Sequence, residues 1–457
     1  MNTQSYPCRV PRALVASLVA ASMGAVAAPA AAHHPVDTDA VSEWNATAGR
    51  AAVATGISPV GNPLHESRLY AMTQIAIHDA LNSIHRRSEP YAFAARARRH
   101  TSVDAAIAAA ARGVMVPVLQ QPPFGAGISD AVALVEADYA AAVDAIPEGR
   151  AKRNGLTIGR AAAAAIVALR ADDGADTLLV DAGYPQGDAP GEYRFTPGFT
   201  FAFAPGWGEV TPFALYDASQ FRAPPPYRVT SRRFAADFNE VKSLGSATSS
   251  TRTPDQTEIA RFWIESSPLQ WNRIARAVAE DRGLDPWQQA RLFGLLDIAL
   301  ADGYIGSFET KYRYDFWRPV TAIHEAGSDG NRRTQPDPGW MPLDVTPPIP
   351  DHDSAHAVEG GAGSTVLRRV FGSDHVAFSG CSSTVLTGTL PAGADCDGDA
   401  GNVLRRQYTS FSHAARENGL SRIYVGWHFR KAVDDGIRHG RRIGKFAVAN
   451  YMRPLHH

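Results

Sequence analysis

Seven residues combine cationic, hydroxyl, amide and imidazole groups at spacings that could build one polar site. In chain order they are Lys311 and Arg318, then Ser354, Ala355 and His356, then Arg422 and His428. Arginine offers a planar fork of donors and lysine a point charge, and the helix start predicted at Ser354 offers unpaired backbone N–H groups. A tetrahedral oxyanion needs such partners. The two histidines add a metal ligand or nucleophile and an acid–base group.

Each of the three stretches has an ordinary structural explanation when it is taken alone. Lys311 and Arg318 are about two helical turns apart, so we expect both to point to one helix face, and such a pair usually lies on a solvated surface. Arg422 alone could form a surface ion pair, and a single histidine on an apolar helix is usually a core residue. Only the combination of the three stretches predicts an oxyanion site.

The order of these residues resembles the three-part motif of the vanadium-dependent haloperoxidases, K-x6-R-P, P-S-G-H and S-R-x5-H. Acid phosphatases of the type-2 phosphatidic acid phosphatase superfamily share this motif. Lys311 with Arg318-Pro319 matches the first part, Ser354-Ala355-His356 the second, and Ser421-Arg422 with His428 the third. The stretches at 77–80 and 220–263 also resemble secreted bacterial members, so the similarity covers about residues 40–450.

The resemblance implies a vanadate site and a role for each residue. His428 would bind vanadium, and His356 would act as acid–base when hydrogen peroxide binds. The vanadate oxygens would be held by Lys311, Arg318, Ser354, the Ala355 amide and Arg422. Lys311 would also take part in catalysis by polarising the bound oxidant. The implied activity is the oxidation of halide by hydrogen peroxide to hypohalous acid.

Two other functions compete with this one. In the phosphatase branch, the same pocket holds the phosphate of an ester, His428 is the nucleophile and His356 is the leaving-group acid. Alternatively, the segment at 351–356 could bind a divalent metal, because His352 and His356 are four residues apart. The metal hypothesis leaves the three cations unexplained.

The sequence departs from the family motif at several positions. Asp353 replaces proline and Ala355 replaces glycine in the second part, and the negative charges of Asp351 and Asp353 should weaken an anion site unless they pair with cations. Many members have aspartate four residues after the histidine ligand, where this chain has Ala432. Asp435, on the same helical face as His428, is the expected substitute.

Composition narrows the function classes. The 457 residues carry 45 Lys and Arg against 46 Asp and Glu, so the basic field of a nucleic-acid-binding protein is absent. Three cysteines are too few for a zinc-ribbon or iron–sulfur framework. The sequence leaves the oligomeric state open between a monomer and a homo-oligomer.

The amino terminus has the pattern of a secretory signal peptide. Residues 1–32 run from a basic start through a small apolar stretch to three alanines. We therefore expect a secreted or periplasmic protein without a membrane segment after cleavage. Cys8 would leave with the peptide, and in an oxidising compartment Cys381 and Cys396 would form one disulfide. The alternative is two unpaired buried thiols.

Apolar periodicity predicts an all-α fold, a single helical domain over 33–457 with the site within 308–435. A helical bundle with long ordered loops is also what the family resemblance implies. Helices are expected at 64–85, 102–119, 129–146, 151–171, 230–243, 254–267, 270–282, 285–310, 354–371, 402–418 and 421–450. Glycine, proline and aromatic residues predict a long ordered loop at 173–230, with further loops at 326–353 and 372–400.

Overall fold

The computed structural model describes residues 39–58, 61–121, 127–382, 396 and 403–455. All of them lie in one compact unit, Asp37–His457. The predicted signal peptide, residues 1–32, lies outside the described residues. Within the described ranges, every helix is too short or too polar to cross a lipid bilayer.

Helices dominate the described residues, which confirms the predicted all-α class. In chain order they are α1 (Ala40–Ala54), α2 (Pro63–Ile84), α3 (Val103–Leu119), α4 (Ile128–Asp144), α5 (Arg150–Leu169), α6 (Arg232–Leu244), α7 (Pro254–Phe262), α8 (Ser267–Asp281), α9 (Pro286–Tyr314), α10 (Pro319–Glu325), α11 (Ala355–Phe371), α12 (Phe411–Tyr424) and α13 (Arg430–Asn450). Two antiparallel pairs of strands complete the fold: β1 (Val180–Asp181) with β2 (Ala202–Phe203), and β3 (Phe378–Ser382) with β4 (Leu404–Tyr408).

The long helix α9 forms the centre of the core and carries the first site residue in its last turn. It begins with a capping box, in which Asp285 accepts from the backbone of Gln288 and the Gln288 side chain accepts from the backbone of Asp285. Most of its residues are buried on all sides, in contact with α2 and α11, so packing rather than an amphipathic stripe stabilises it.

Close packing of α11 against α13 holds the second and third site segments together. Glycines of α13 make this approach feasible, since a Cβ at Gly440 would lie 1.8 Å from the Val358 carbonyl oxygen and one at Gly436 would lie 2.7 Å from that of Ser354. The backbone amide of Ser354 also donates to the Ala432 carbonyl at 3.1 Å. The two helices therefore set the distance between the second and third parts of the motif.

The expected shared helix face of Lys311 and Arg318 is wrong. Helix α9 ends at Tyr314, and Asp315 follows in the left-handed conformation, with φ of 45°. Pro319 then begins α10, and Arg318 is the residue just before it. The chain thus turns between the two cations, and each comes from a different helix end.

The predicted helix at 402–418 is also wrong, because residues 404–408 form β4 and α12 begins only at Phe411. The last predicted helix, 421–450, is two helices: α12 extends to Tyr424, and α13 starts at Arg430. The sequence analysis missed α1 altogether.

Cys381 at the end of β3 and Cys396 form the predicted disulfide, with Cα atoms 5.8 Å apart. The long loop at 173–230 is confirmed as mostly irregular, with only β1, β2 and a short 3-10 turn at Pro205–Glu209. The carboxylate of Asp302 on α9 accepts backbone N–H bonds from Phe213, Ala214 and Leu215 at 2.6 to 2.9 Å, which fixes this loop to the core.

Candidate active site

Lys311 is fully buried in the last turn of α9. Its ammonium group donates to the carbonyl oxygens of Pro350 at 2.9 Å and Asp351 at 3.0 Å. These two bonds connect the first part of the motif to the second. They also leave one ammonium proton for a further acceptor.

Arg318 connects the same segment to the third part of the motif. Its Nε donates to the Ile349 carbonyl at 2.6 Å, and its Nη1 donates to the Trp427 carbonyl at 2.8 Å. The same Nη1 lies 2.9 Å from His428 Nε2. The guanidinium is therefore in direct contact with the predicted metal ligand.

Arg422 lies in the last turn of α12, and it is fully buried. Its Nη2 donates to the Trp263 carbonyl at 2.5 Å, and the guanidinium carbon lies 4.9 Å from the centre of the Trp427 ring. Its Nη1 has no hydrogen-bond partner among the described residues. A buried donor of this kind is costly unless a ligand or water completes it.

Ser354 caps the start of α11, and Ala355 is the first residue of that helix. The Ser354 hydroxyl is buried, and no group in the described ranges forms a hydrogen bond with it. The first N–H groups of the helix have no intrahelical acceptor, as at any helix start. Replacement of the family's glycine by Ala355 therefore leaves the backbone donors in place, because Ala355 has ordinary helical geometry.

Burial acts on all three cations in the same direction. It lowers the pKa of Lys311 to about 7, with a further contribution from Arg318. Burial likewise lowers the pKa of Arg318 to about 10 and that of Arg422 to about 9. Three desolvated cations close to one another are unfavourable without a counter-charge, so an oxyanion among them would be strongly stabilised.

The two histidines have very different surroundings. His428 is buried, and its Nδ1 lies 2.9 Å from Asp351 Oδ1. His356 sits in the first turn of α11, and the contact recorded for its Nε2 is a long one, 3.4 Å to the Glu265 carbonyl. Burial, followed by the nearby cations, lowers the pKa of both histidines well below the usual range. Both are therefore neutral at neutral pH in the described protein.

The acidic residues of the second segment do pair with partners. Asp353 accepts from Ser307 Oγ at 2.8 Å and lies 2.9 Å from His439 Nδ1. Burial raises the pKa of Asp351 to about 7, although Arg318 and Lys311 act in the opposite direction. The charge penalty expected from these two aspartates is thus largely offset.

The expected role of Asp435 is wrong. Its carboxylate binds Lys431 at 2.5 Å and also Arg438, and it lies 3.7 Å from His352 Nε2. Asp351 is the carboxylate that contacts His428 instead. Sequence reasoning treated Asp351 only as an unfavourable charge. The signal that could have identified it was Ala432, since a missing carboxylate partner suggests a replacement elsewhere.

The divalent-metal hypothesis finds no support in the geometry. Asp351 turns to His428 and Asp353 to His439, whereas His352 Nε2 lies 2.8 Å from the Pro224 carbonyl. His356 Nε2 contacts a different group again, the Glu265 carbonyl. Within the described part of the chain, no three His, Cys, Asp or Glu side chains are grouped so that they could hold a metal ion.

The donor set therefore fits a tetrahedral oxyanion such as vanadate. All seven predicted residues lie at or beside helix ends: the end of α9, the start of α10, the start of α11, and the stretch from the end of α12 to the start of α13. Such an anion would supply the missing partner of three groups. Two are the unpaired donors Ser354 Oγ and Arg422 Nη1, and the third is His428 Nε2, whose contact among the described residues is with a guanidinium.

Comparison with known proteins finds vanadium haloperoxidases both by sequence and by fold. Residues 291–457 match the family model for the VCPO second helical-bundle domain. A segment of 281 residues is 27% identical to the vanadium chloroperoxidase of Curvularia inaequalis, and it covers 50% of this chain and 45% of the fungal protein. The chain thus aligns with less than half the length of that relative.

Solved structures extend the likeness in fold to most of the chain. A bacterial vanadium-dependent iodoperoxidase superposes with a TM-score of 0.73 at 23% identity, over 93% of this chain and 99% of its own. An apo-type bacterial vanadium-dependent chloroperoxidase gives a TM-score of 0.66 at 17% identity, over 85% and 94%. Residues 291–457 thus match the helical-bundle model of vanadium chloroperoxidases, and most of the chain has the fold of the bacterial vanadium-dependent haloperoxidases.

Proposed function

We propose that the chain binds vanadate and catalyses the oxidation of halide by hydrogen peroxide to hypohalous acid. One observation carries the proposal: three buried cations converge with an unpaired Ser354 hydroxyl and the Nε2 atom of His428. The fungal relative is named as a vanadium chloroperoxidase, which supports the same chemistry. Vanadate, when bound, would supply a Lewis-acid centre that activates hydrogen peroxide toward halide without a change of oxidation state.

The residues of the chain have separate tasks in this reaction. His428 Nε2 would be the protein ligand to vanadium. The oxygens would be held by Lys311, Arg318, Ser354, the Ala355 amide and Arg422. The overall reaction, H2O2 + X⁻ + H⁺ → HOX + H2O, consumes one proton. His356 is neutral near pH 7, so it can accept a proton from hydrogen peroxide and return it to the departing water.

Two assays on the same preparation test the proposal. The purified protein is incubated with orthovanadate, and bromination of monochlorodimedone is followed with bromide and hydrogen peroxide. The vanadate-free protein is assayed with p-nitrophenyl phosphate. We expect vanadate-dependent bromination and little phosphatase activity. Vanadate-independent phosphatase activity without bromination would instead establish the phosphate-ester alternative and overturn the proposal.

Two histidine variants complete the design. His428→Ala removes the ligand, so we expect the loss of both vanadate binding and bromination. His375→Ala removes an exposed histidine between α11 and β3, and wild-type activity is expected. A His428→Ala protein that binds vanadate with wild-type affinity would contradict the ligand assignment.

We also propose that the protein is exported and acts in the periplasm or outside the cell. The composition of residues 1–32 supports this, and so does the Cys381–Cys396 disulfide, since such bonds persist mainly in oxidising compartments. Amino-terminal sequencing of the protein recovered from periplasm and medium should show a start near residue 33. Recovery of the intact chain from the cytoplasm alone would refute export.

A further inference from the structure

The imidazole of His428 is held between two charged side chains that approach its two nitrogens. Asp351 Oδ1 lies 2.9 Å from Nδ1, and Arg318 Nη1 lies 2.9 Å from Nε2. All three side chains are buried, at 5% exposure or less. Water therefore competes little for either nitrogen.

These two partners allow only one neutral tautomer of His428. Arg318 Nη1 lies 2.9 Å from Nε2 and 3.4 Å from Nδ1, and a guanidinium can only donate, so it offers no acceptor to a proton on Nε2. Asp351 offers a carboxyl oxygen at 2.9 Å as an acceptor for a proton on Nδ1, so the single proton of the neutral ring is placed there. The proton is thus on Nδ1 and the lone pair is on Nε2, the atom that the proposed function assigns to vanadium.

The backbone around Asp351 fixes the position of its carboxylate. Its N–H donates to the Phe316 carbonyl at 2.8 Å, and Phe316 lies between Lys311 and Arg318 in the sequence. Its carbonyl oxygen accepts from the Lys311 ammonium at 3.0 Å. Asp351 is therefore attached on both sides to the segment that carries the cations.

The residue four positions after His428 is not a carboxylate in this chain. That position is Ala432, which is fully buried. Asp435, one turn further along α13, is bound to Lys431 and Arg438. The carboxylate that reaches His428 therefore comes from the segment before α11 and not from α13.

We propose that Asp351 is a positioning residue, which fixes the tautomer and the orientation of His428 in place of the carboxylate absent at position 432. The proposal rests on the proposed function, because it assigns His428 as the vanadium ligand. Carboxylates that orient a histidine ligand typically contribute about 10- to 100-fold to metal affinity. Asp351 itself would not touch vanadate.

The first measurement is made without vanadate, so it does not depend on the proposed function. Ring ¹⁵N chemical shifts of histidine-labelled protein report the tautomer, and the signal lost in His428→Ala identifies the residue. We expect the Nδ1-protonated form in the wild type and a mixture of tautomers in Asp351→Ala. Asp351→Asn retains an acceptor oxygen, so it should keep the tautomer.

The second measurement is vanadate affinity by equilibrium dialysis. Asp351→Ala should weaken binding by about 10- to 100-fold, and Asp351→Asn by less. The double variant Asp351→Ala/Ala432→Asp, which moves the carboxylate to α13, should recover part of the loss. Asp434→Ala, a partly exposed position on α13, is the control with unchanged affinity.

The two measurements separate the possible failures. If the wild type shows the Nδ1 tautomer but binds no vanadate, the proposed function fails while the role of Asp351 toward His428 stands. If Asp351→Ala retains both the tautomer and wild-type affinity, the role of Asp351 is refuted. Should Asp351→Ala not fold, the same two measurements are made on Asp351→Leu, which has a similar volume but no acceptor, and a wild-type tautomer together with wild-type affinity there overturns the proposal.

Discussion

His356 is the residue whose role depends most on its charge. Burial and the neighbouring Arg422, Lys311 and Arg318 all keep it neutral, since each disfavours a second positive charge in a dry site. From sequence alone the direction was open, because bound vanadate acts in the opposite sense.

Replacement of His356 by alanine tests its role as acid–base group. General acid–base catalysis typically contributes about 10²- to 10⁴-fold, so turnover of His356→Ala should fall by that order. Vanadate affinity should change little, because His428 and the cations remain. Loss of vanadate binding would instead make His356 a residue that builds the site. His352 is a poor substitute as the acid–base, since its Nε2 is 2.8 Å from the Pro224 carbonyl.

Glu66 should make the stability of the protein depend on pH. Burial raises its pKa to about 8, although hydroxyls of Ser266 and Ser58 donate to it. Between about pH 4.5 and 8 the folded chain retains a proton that the unfolded chain releases, so stability falls as pH rises, by at most about 1.4 kcal/mol per pH unit.

The measurement is urea unfolding of Glu66→Gln and wild type from pH 5 to 8. Glutamine does not titrate, so the stability of the variant relative to wild type should increase with pH. Glu280→Gln, at an exposed position of α8, should follow the wild-type curve. A constant difference between Glu66→Gln and wild type would show that Glu66 is already ionised in the folded protein.

At the level of helices, the contact between α11 and α13 determines the shape of the site. A Cβ at Gly440 would lie 1.8 Å from the Val358 carbonyl oxygen and 2.7 Å from the Ala362 nitrogen. Backbone atoms cannot turn away as a side chain can. Gly440→Ala should therefore separate the two helices.

The expected cost of Gly440→Ala is about 1–3 kcal/mol of unfolding free energy, and vanadate affinity should fall because Ser354 and His428 move apart. Gly327→Ala, where the nearest atom would be 3.8 Å away, is the control. Thermal unfolding and equilibrium dialysis of both variants check the prediction. Equal stability of the two variants would contradict it.

The helices were largely predictable from apolar spacing, but their ends near the site were not. The break after Tyr314 depends on Asp315 in a left-handed conformation, and no glycine marks it in the sequence. The sequence of β4 resembles that of a helix, because three of its five residues are charged or polar and only Leu404 and Tyr408 at its two ends are not. Its pairing with β3, far along the chain, overrides local preference. The cations were identifiable by type and order, whereas the contact between Asp351 and His428 required the fold.

For the whole molecule, the disulfide is the covalent feature that can be measured most directly. Thiol titration of the denatured, unreduced mature protein should find no free thiols, and two would refute the bridge. An intact chain that still carries residues 1–32 should show one, from Cys8. Replacement of Cys381 and Cys396 by serine should cost about 3 kcal/mol or less, because the closed loop spans 15 residues.

Asp302 attaches the long irregular segment to the centre of the fold, and four further contacts reinforce it there. Arg170 donates to the carbonyls of Thr211 and Pro212, its guanidinium lies 3.9 Å from the Phe213 ring centre, and Tyr91 donates to the Phe213 carbonyl. Opening of this stretch must break all these bonds at once, so its amides should exchange with deuterium as slowly as those of a buried helix. In Asp302→Asn, protection at 213–215 should fall first, while the amides of α11 and α13 keep theirs. An irregular segment would then belong to the slowest-exchanging part of the protein, although loops usually exchange fastest.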